Sequence, residues 1–310
     1  EYRKIYRNLY NEELFLLAYN EIYAKPGNLT KGADGRTIDG INLDGISKII
    51  NQLKNESYKP QPARRTYILK KNGKKRPLGI PSIDDKLVQE ATKMILESIW
   101  EDTFNNSSHG FRPKKSCHTA LQQIQSTFNG VRWFIEGDIS AYFDTIDHDI
   151  LIGILRRRIK DERFIRLIRK FLNAGYLENR QYHVTYSGTA QGSNLSPILA
   201  NIYLNELDQF MADLKKSFDK GKARQRNPEH RKLEAKKYHI QKKYTPKWQV
   251  LDSNEKSRVR KQVKELEQAM VSTPYADPFD IQYRRLVYVR YADDFLVGIT
   301  GSKSEVTQIR

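Results

Sequence analysis

Three aspartates in this 310-residue chain stand where carboxylates are costly. Asp293 and Asp294 are adjacent in VYVRYADDFLVG (287–298), between arms whose Val287, Val289, Tyr291, Phe295, Leu296 and Val297 favour a half-buried sheet. Asp138 closes the apolar run WFIEGD, near the C-terminal end of a strand. Set on neighbouring strands, these carboxylates would meet. Two unit charges about 4 Å apart repel by roughly 4 kcal/mol at an effective dielectric near 20. A pair of Mg²⁺ ions about 4 Å apart would relieve that repulsion, activate an attacking hydroxyl and hold a leaving pyrophosphate. Mg²⁺ takes hard oxygen ligands and keeps several waters, so few carboxylates suffice. The competing reading is turn chemistry, which Asp tolerates well. Against it, neither Gly nor Asn supplies a tight turn here, and both arms are apolar. Asp144 and Asp147 lean the other way, and Asp147 before HDILIGIL reads as a helix N-cap.

Several elements must position these residues. Residues 2–23 have helical spacing, with aromatics among basic residues, and 28–40 is a Gly/Asp-rich loop. A helix follows at about 43–55. Residues 64–80 form a hairpin turning at Asn72-Gly73. Ser82 or Asp84 caps a helix over 84–100, and another helix starts near Lys115. A strand at 131–138, helices at 148–159 and 161–173, and a strand pair around 181–188 come next. TAQGSNLSP opens the helix ILANIYLNELDQFMADL. Residues 211–270 differ from the rest: 18 Lys and Arg stand against 8 Asp and Glu, a net of +10. They read as inserted basic helices broken at YTPKWQV.

The whole chain carries a net charge of +17, which points to polyphosphate partners, nucleic acid before membrane. No run reaches the length of a membrane-spanning helix, and no signal peptide precedes the first helix. One cysteine, Cys117, excludes an internal disulfide and a thiolate metal cluster. A reducing, cytoplasmic setting is the expected one.

YADD resembles the Tyr-x-Asp-Asp box of reverse transcriptases. KKNGKKRPLGIP (70–81), HGFRPKKSCHTAL (109–121), GDISAYFDTIDH (137–148) and AQGSNLSPILANIYLNELD (190–208) follow that family's block order. Their wording is similar to bacterial group II intron-encoded reverse transcriptases, or maturases, and NLTKGADG resembles the N-terminal extension of that lineage. The resemblance implies an α+β right-hand polymerase: fingers over 1–130, and palm over 131–310 with the basic helical insertion at about 211–283. The palm would be an antiparallel sheet backed by helices. The thumb would be absent, and exposed apolar area there would favour a homodimer.

The resemblance also implies roles. Asp138, Asp293 and Asp294 would be catalytic and would hold two Mg²⁺ ions, with help from the Ile139 carbonyl. Arg64, Lys70 and Arg76 would grip the dNTP triphosphate; KKNGKK alone favours a solvated basic turn, and the RPLGIP that follows reverses that. Phe143 would lie under the sugar and exclude ribonucleotides, or serve as a core aromatic. Gln191 would lie near the incoming nucleotide. Tyr291 would pack near the primer end, or simply in its strand. Lys31, His109, Arg112 and Lys114 would touch template. Lys236, Lys237, Lys242 and Lys243 would touch intron RNA. The implied function is RNA-directed DNA synthesis on an RNA template with a DNA primer, together with intron RNA binding for splicing and retrohoming. The alternatives are an intron RNA-binding module alone, or a retron or CRISPR-associated reverse transcriptase.

Overall fold

The computed structural model describes residues 1–69, 73–139, 141–189 and 192–310. Lys70, the Asn72 half of the expected turn, and Gln191 therefore lie outside the described residues. In chain order the elements are α1 (Glu12–Tyr23), α2 (Leu43–Lys54), β1 (Ala63–Leu69), β2 (Lys75–Ile80), α3 (Ile83–Trp100) and α4 (Cys117–Thr127). Then come β3 (Trp133–Asp138), α5 (Tyr142–Thr145), α6 (His148–Arg158), α7 (Glu162–Leu172), β4 (Tyr176–Glu178) and β5 (Gln181–His183). The chain continues with α8 (Ser196–Phe218), α9 (Pro228–Tyr244), α10 (Ser253–Ser272), β6 (Arg285–Tyr291), β7 (Asp294–Thr300) and α11 (Lys303–Ile309).

The described strands form sheets of order β2-β1-β4-β5 and β3-β7-β6. The chain divides into two compact units. The first comprises Glu1–Gln123, Gly137–Met211 and Val289–Phe295, and the second Ile124–Glu136, Ala212–Tyr288 and Leu296–Arg310.

Side-chain caps set most helix starts. The Asn11 side chain accepts from Glu13 N at 2.9 Å, so the expected helix over 2–23 becomes a 3₁₀ turn and then α1. Ser82 caps α3, and Asp147 caps α6 by accepting from Ile150 N at 2.9 Å. The strand pair expected around 181–188 lies earlier, at β4 and β5. Asn179 and Arg180 both take positive φ and make the tight turn between them. Thr185 is used differently: its hydroxyl donates to Leu172 O and accepts from Gly175 N.

In the first unit, one apolar core joins α1, α2, α3, α6, α7 and the start of α8. On α2 the buried Ile46, Ile49, Ile50 and Leu53 recur at helical spacing. One charged group lies inside this unit near the β1–β2 hairpin. Asp85 is buried and accepts from Tyr58 Oη at 2.6 Å, Ser82 Oγ at 2.7 Å and Gln61 N at 3.0 Å. Burial raises its carboxyl above the ordinary value, against the pull of those three donors. A folded pKa above the unfolded one favours folding in acid, and that contribution fades as pH climbs through the raised value. Asp85→Ala is expected to cost about 1–3 kcal/mol by orphaning its donors. Urea melts from about pH 4 to about pH 8 should show the wild-type advantage largest at the acid end. An advantage that grows with pH would contradict this account.

Candidate active site

The paired aspartates sit at the tip of the β6–β7 hairpin, with Ala292 and Asp293 forming the turn. Ala292 takes φ +56, a left-handed conformation that a non-glycine residue adopts only when its surroundings enforce it. Those surroundings are specific. Gly110 approaches so closely that a Cβ there would stand 2.3 Å from Ala292 N. His109 N donates to Arg290 O at 2.9 Å, and Arg290 N donates to Ser107 O at 2.8 Å. The HGF segment is thus zipped to the base of the carboxylate tip.

Arg290 fixes this from inside. Its side chain and that of Asp208 are each 0% exposed. Arg290 Nε donates to Asp208 Oδ1 at 2.9 Å and Nη2 to Oδ2 at 2.6 Å, a two-pronged match. Nη1 donates to Ala292 O at 2.8 Å and to Asn201 Oδ1 at 3.2 Å, and Nη2 donates to Ser108 Oγ at 2.7 Å. Asn201 returns a bond from Nδ2 to Gly110 O at 2.8 Å. Asn201 and Asp208 lie two turns apart on α8, so one stripe of that helix serves both. Neither Arg290 nor Asp208 was among the residues expected from sequence to matter. The available signal was an arginine within the apolar strand LVYVRY.

Asp138 approaches the same tip. β3 neighbours β7, and the Phe295 ring covers Gly137 so tightly that a Cβ there would lie 2.1 Å from Cζ. Asp138 and Asp294 are the chain neighbours of this contacting pair. Burial pushes the Tyr142 phenol up strongly, Arg290 opposes, and the Asp293 charge adds to the rise. Asp293 therefore lies within electrostatic reach of α5, just past Asp138. Among the described residues Asp138 and Asp293 have no ion-pair partner.

No group of three His, Cys, Asp or Glu side chains among the described residues is close enough together to hold an ion by itself. The donor set still fits a hard cation: Asp138 and Asp293 offer carboxylate oxygens without cationic partners, open to the water a Mg²⁺ shell retains. The Ile139 carbonyl accepts from Tyr142 N at 3.2 Å, which leaves its second lone pair for an ion.

The other expected residues divide. Arg64 pairs across from Ile80, and Ile68 from Arg76, so Arg64 and Arg76 share one face of the β1–β2 hairpin. Arg64 also donates twice to Lys31 O, at 3.1 and 2.8 Å, tying the N-terminal loop to β1. Gly192, at φ +102, packs against Gly79 O, and Thr189 N donates to Phe143 O at 2.6 Å. The segments flanking Gln191 are thus held at β2 and α5. The Phe143 ring is buried, edge-on to Phe111 and Tyr142, so it is a packed aromatic in this structure.

His109 and Arg112 are more deeply buried than template contacts would require. His109 is buried, and its ring nitrogens pair with Thr119 at 2.8 Å and Gln123 at 2.7 Å. Arg112 is buried, ion-paired to Glu101 at 2.8 Å, and donates to Asn105 O and Ser108 O. Both brace the HGF segment from within, and Arg112 also borders the cleft beside Tyr291. Lys114 and Tyr291 are exposed. Tyr291 and Phe111 line a cleft of about 760 Å³ together with Lys25, Lys93 and Lys115.

Residues 68–222 match the family described as "Reverse transcriptase (RNA-dependent DNA polymerase)". The chain belongs to the reverse transcriptase family. Over 310 residues it is 47% identical to the group II intron-encoded protein LtrA of Lactococcus lactis subsp. cremoris, covering 100% of this chain and 51% of that protein. It is 46% identical to a protein in a cob intron of Schizosaccharomyces pombe, over 99% of this chain and 37% of that one. Protein YkfC of Escherichia coli K12 is 36% identical, over 96% of this chain and 72% of that protein. The chain spans about half the length of the Lactococcus relative it matches. Its fold is that of reverse transcriptases, with mixed α and β content; in the four-stranded sheet β1 pairs antiparallel with β2 and parallel with β4. Reverse transcriptase domains use divalent metal ions. No described helix is long and apolar enough to cross a membrane.

Removing one partner of the buried pair should be severe. Asp208→Ala is expected to destabilise the chain by about 3–5 kcal/mol, measured by urea unfolding. The double variant Asp208→Leu with Arg290→Met should recover much of that loss, because an apolar pair leaves no orphaned charge. A double variant as unstable as the single one would contradict this reading of the pair.

Proposed function

We propose that this chain carries the polymerase site of a group II intron reverse transcriptase, with fingers in residues 1–130 and palm in 131–310. The observation that carries the proposal is the pinned hairpin tip. It sets Asp293 and Asp294 directly after the strained Ala292, beside the strand end that carries Asp138, in a chain otherwise strongly basic.

The reaction is the joining of a dNTP to a primer on an RNA template. The primer 3′-oxygen attacks the α-phosphorus, the bond to the β-phosphate bridging oxygen breaks, and pyrophosphate departs. When bound, two Mg²⁺ ions would lower the pKa of the attacking hydroxyl and offset charge on the leaving group. Asp138 and Asp293 are the principal ligands, with Asp294 and the Ile139 carbonyl in support. Arg64 and Arg76, on one face of the hairpin, grip the triphosphate, and Lys70 adds a point charge. Phe143, through its packed ring, sets the floor beneath the sugar. Gln191 lies near the incoming nucleotide, with Gly192 allowing close backbone approach. Tyr291 faces the primer end, and Lys31 and Lys114 meet template phosphates. Positioning and charge compensation dominate phosphoryl transfer, so a rigid tip is the main requirement on the protein.

A second activity has its own support. The helices of the 211–283 insertion are mostly exposed, and their cations lie over rings: Lys242 over Tyr238, Lys243 over Tyr244 and Arg260 over Trp248. This surface binds the intron's own RNA and assists splicing and retrohoming. Lys237 spends part of its charge on Glu267, at 2.7 Å, and Lys236, Lys242 and Lys243 are the freer cations for phosphate.

Single-nucleotide incorporation on a primed RNA template, with Mg²⁺, tests the first activity. Asp293→Asn should lower it by on the order of a thousandfold and leave RNA affinity intact. A fully active Asn variant would sink the metal-site assignment. Reversing Lys236, Lys242 and Lys243 to Glu should weaken RNA binding and reduce its salt slope by about 0.7–0.9 for each phosphate no longer neutralised. Unchanged affinity and slope would refute the RNA-binding role of the insertion.

A further inference from the structure

The α9–α10 hairpin holds more than a charged surface needs. Its helices, of 17 and 20 residues, bury one side chain each, His230 on α9 and Val259 on α10. The pair has not closed a core of its own. Between α9 and α10 the chain makes a short 3₁₀ turn at Thr245–Lys247, which contains Pro246 and delivers Trp248. Behind Trp248 lies a cavity of about 430 Å³. Its walls include Tyr244, Trp248, Val259 and Val263, and the solvent-exposed Arg260 and Lys264 also border it. The Arg260 guanidinium stands 5.6 Å from the Trp248 ring centre.

We propose that this cavity receives one unpaired base of an RNA strand, stacked against the aromatic rings, with the adjoining phosphate held by Arg260 and Lys264. The proposal rests on the RNA-binding reading of the insertion and adds the chemistry that it recognises. A nucleobase is flat and apolar on its faces, which matches two rings and two valines. Its phosphate matches two exposed cations in a segment of net charge +10. The cavity opens to solvent, so a base can enter it without parting the helices. The exposed Arg260 and Lys264 at its border favour an anionic occupant over an apolar protein segment. A fully paired duplex hides its base faces, whereas bulges and loops splay theirs onto aromatic side chains.

The test compares two RNA hairpins of equal length, one carrying a single bulged 2-aminopurine and one fully paired. Each is titrated with the whole 310-residue chain over a range of salt concentrations. Wild type should prefer the bulged hairpin by about tenfold, with quenching of the probe as it stacks. Trp248→Ala should remove that preference without changing the salt slope, and Trp248→Phe should keep most of it. Equal binding of both hairpins by wild type, or a preference that survives Trp248→Ala, overturns the proposal and leaves the cavity to a protein partner. Reversal of Lys242 and Lys243 is the separate control. If it leaves both affinities unchanged, the RNA-binding reading itself has failed. If it weakens both while Trp248→Ala does nothing, only the base pocket has.

Discussion

The bidentate pair between Arg290 and Asp208 is the interaction on which the candidate active site depends. Both side chains are fully buried, so neither can fall back on water. Desolvating two ions costs several kcal/mol each, and their attraction repays this only where every remaining donor is used. Here the arginine spends its other donors on Ser108, Asn201 and the carbonyl of Ala292. Three separate stretches of chain thereby acquire one geometry: the hairpin tip, the HGF segment and a stripe of α8. A buried pair of this kind is a poor source of stability but a good source of specificity, because no alternative packing satisfies it. That suits a site in which adjacent carboxylates must be held against their own repulsion and Ala292 against its backbone preference.

The electrostatic design has two scales. Locally, Asp138 and Asp293 stand without cationic partners among the described residues, which suits groups reserved for metal ions. Globally, the chain carries a charge of +17, so the long-range field draws in polyanions while the tip stays acidic. The cleft beside Tyr291 shows the two scales meeting. Glu90, with a side chain 1% exposed, is met by Lys25 at 3.1 Å and Lys93 at 3.0 Å, so part of the wall's cationic charge is structural and already committed.

Much of this was legible in the sequence. Helical spacing at 43–55 and 84–100 and the alternating arms around Asn72-Gly73 announced their elements, because local propensity and burial agree there. The paired aspartates stood out because apolar arms leave little other reason for them. Orientation was the harder quantity. His109 and Arg112 have the residue types of nucleic-acid contacts, yet their hydrogen bonds point inward, a fact set by Gln123 and Glu101 and not by their own neighbours in sequence. The β4–β5 pair lay earlier than expected because Asn179 and Arg180 together adopt a left-handed turn that neither residue type demands. Asp208 passed as an ordinary polar position on a long helix, since its partner lies 82 residues away.

The most direct measurement is the location of bound metal. The chain would be crystallised with an RNA template, a DNA primer, a non-hydrolysable dNTP and Mn²⁺, and the anomalous scattering mapped. The account predicts peaks about 2.0–2.5 Å from carboxylate oxygens of both Asp138 and Asp293. Peaks confined to other residues, with those two carboxylates bare and nucleic acid in the cleft, would contradict it.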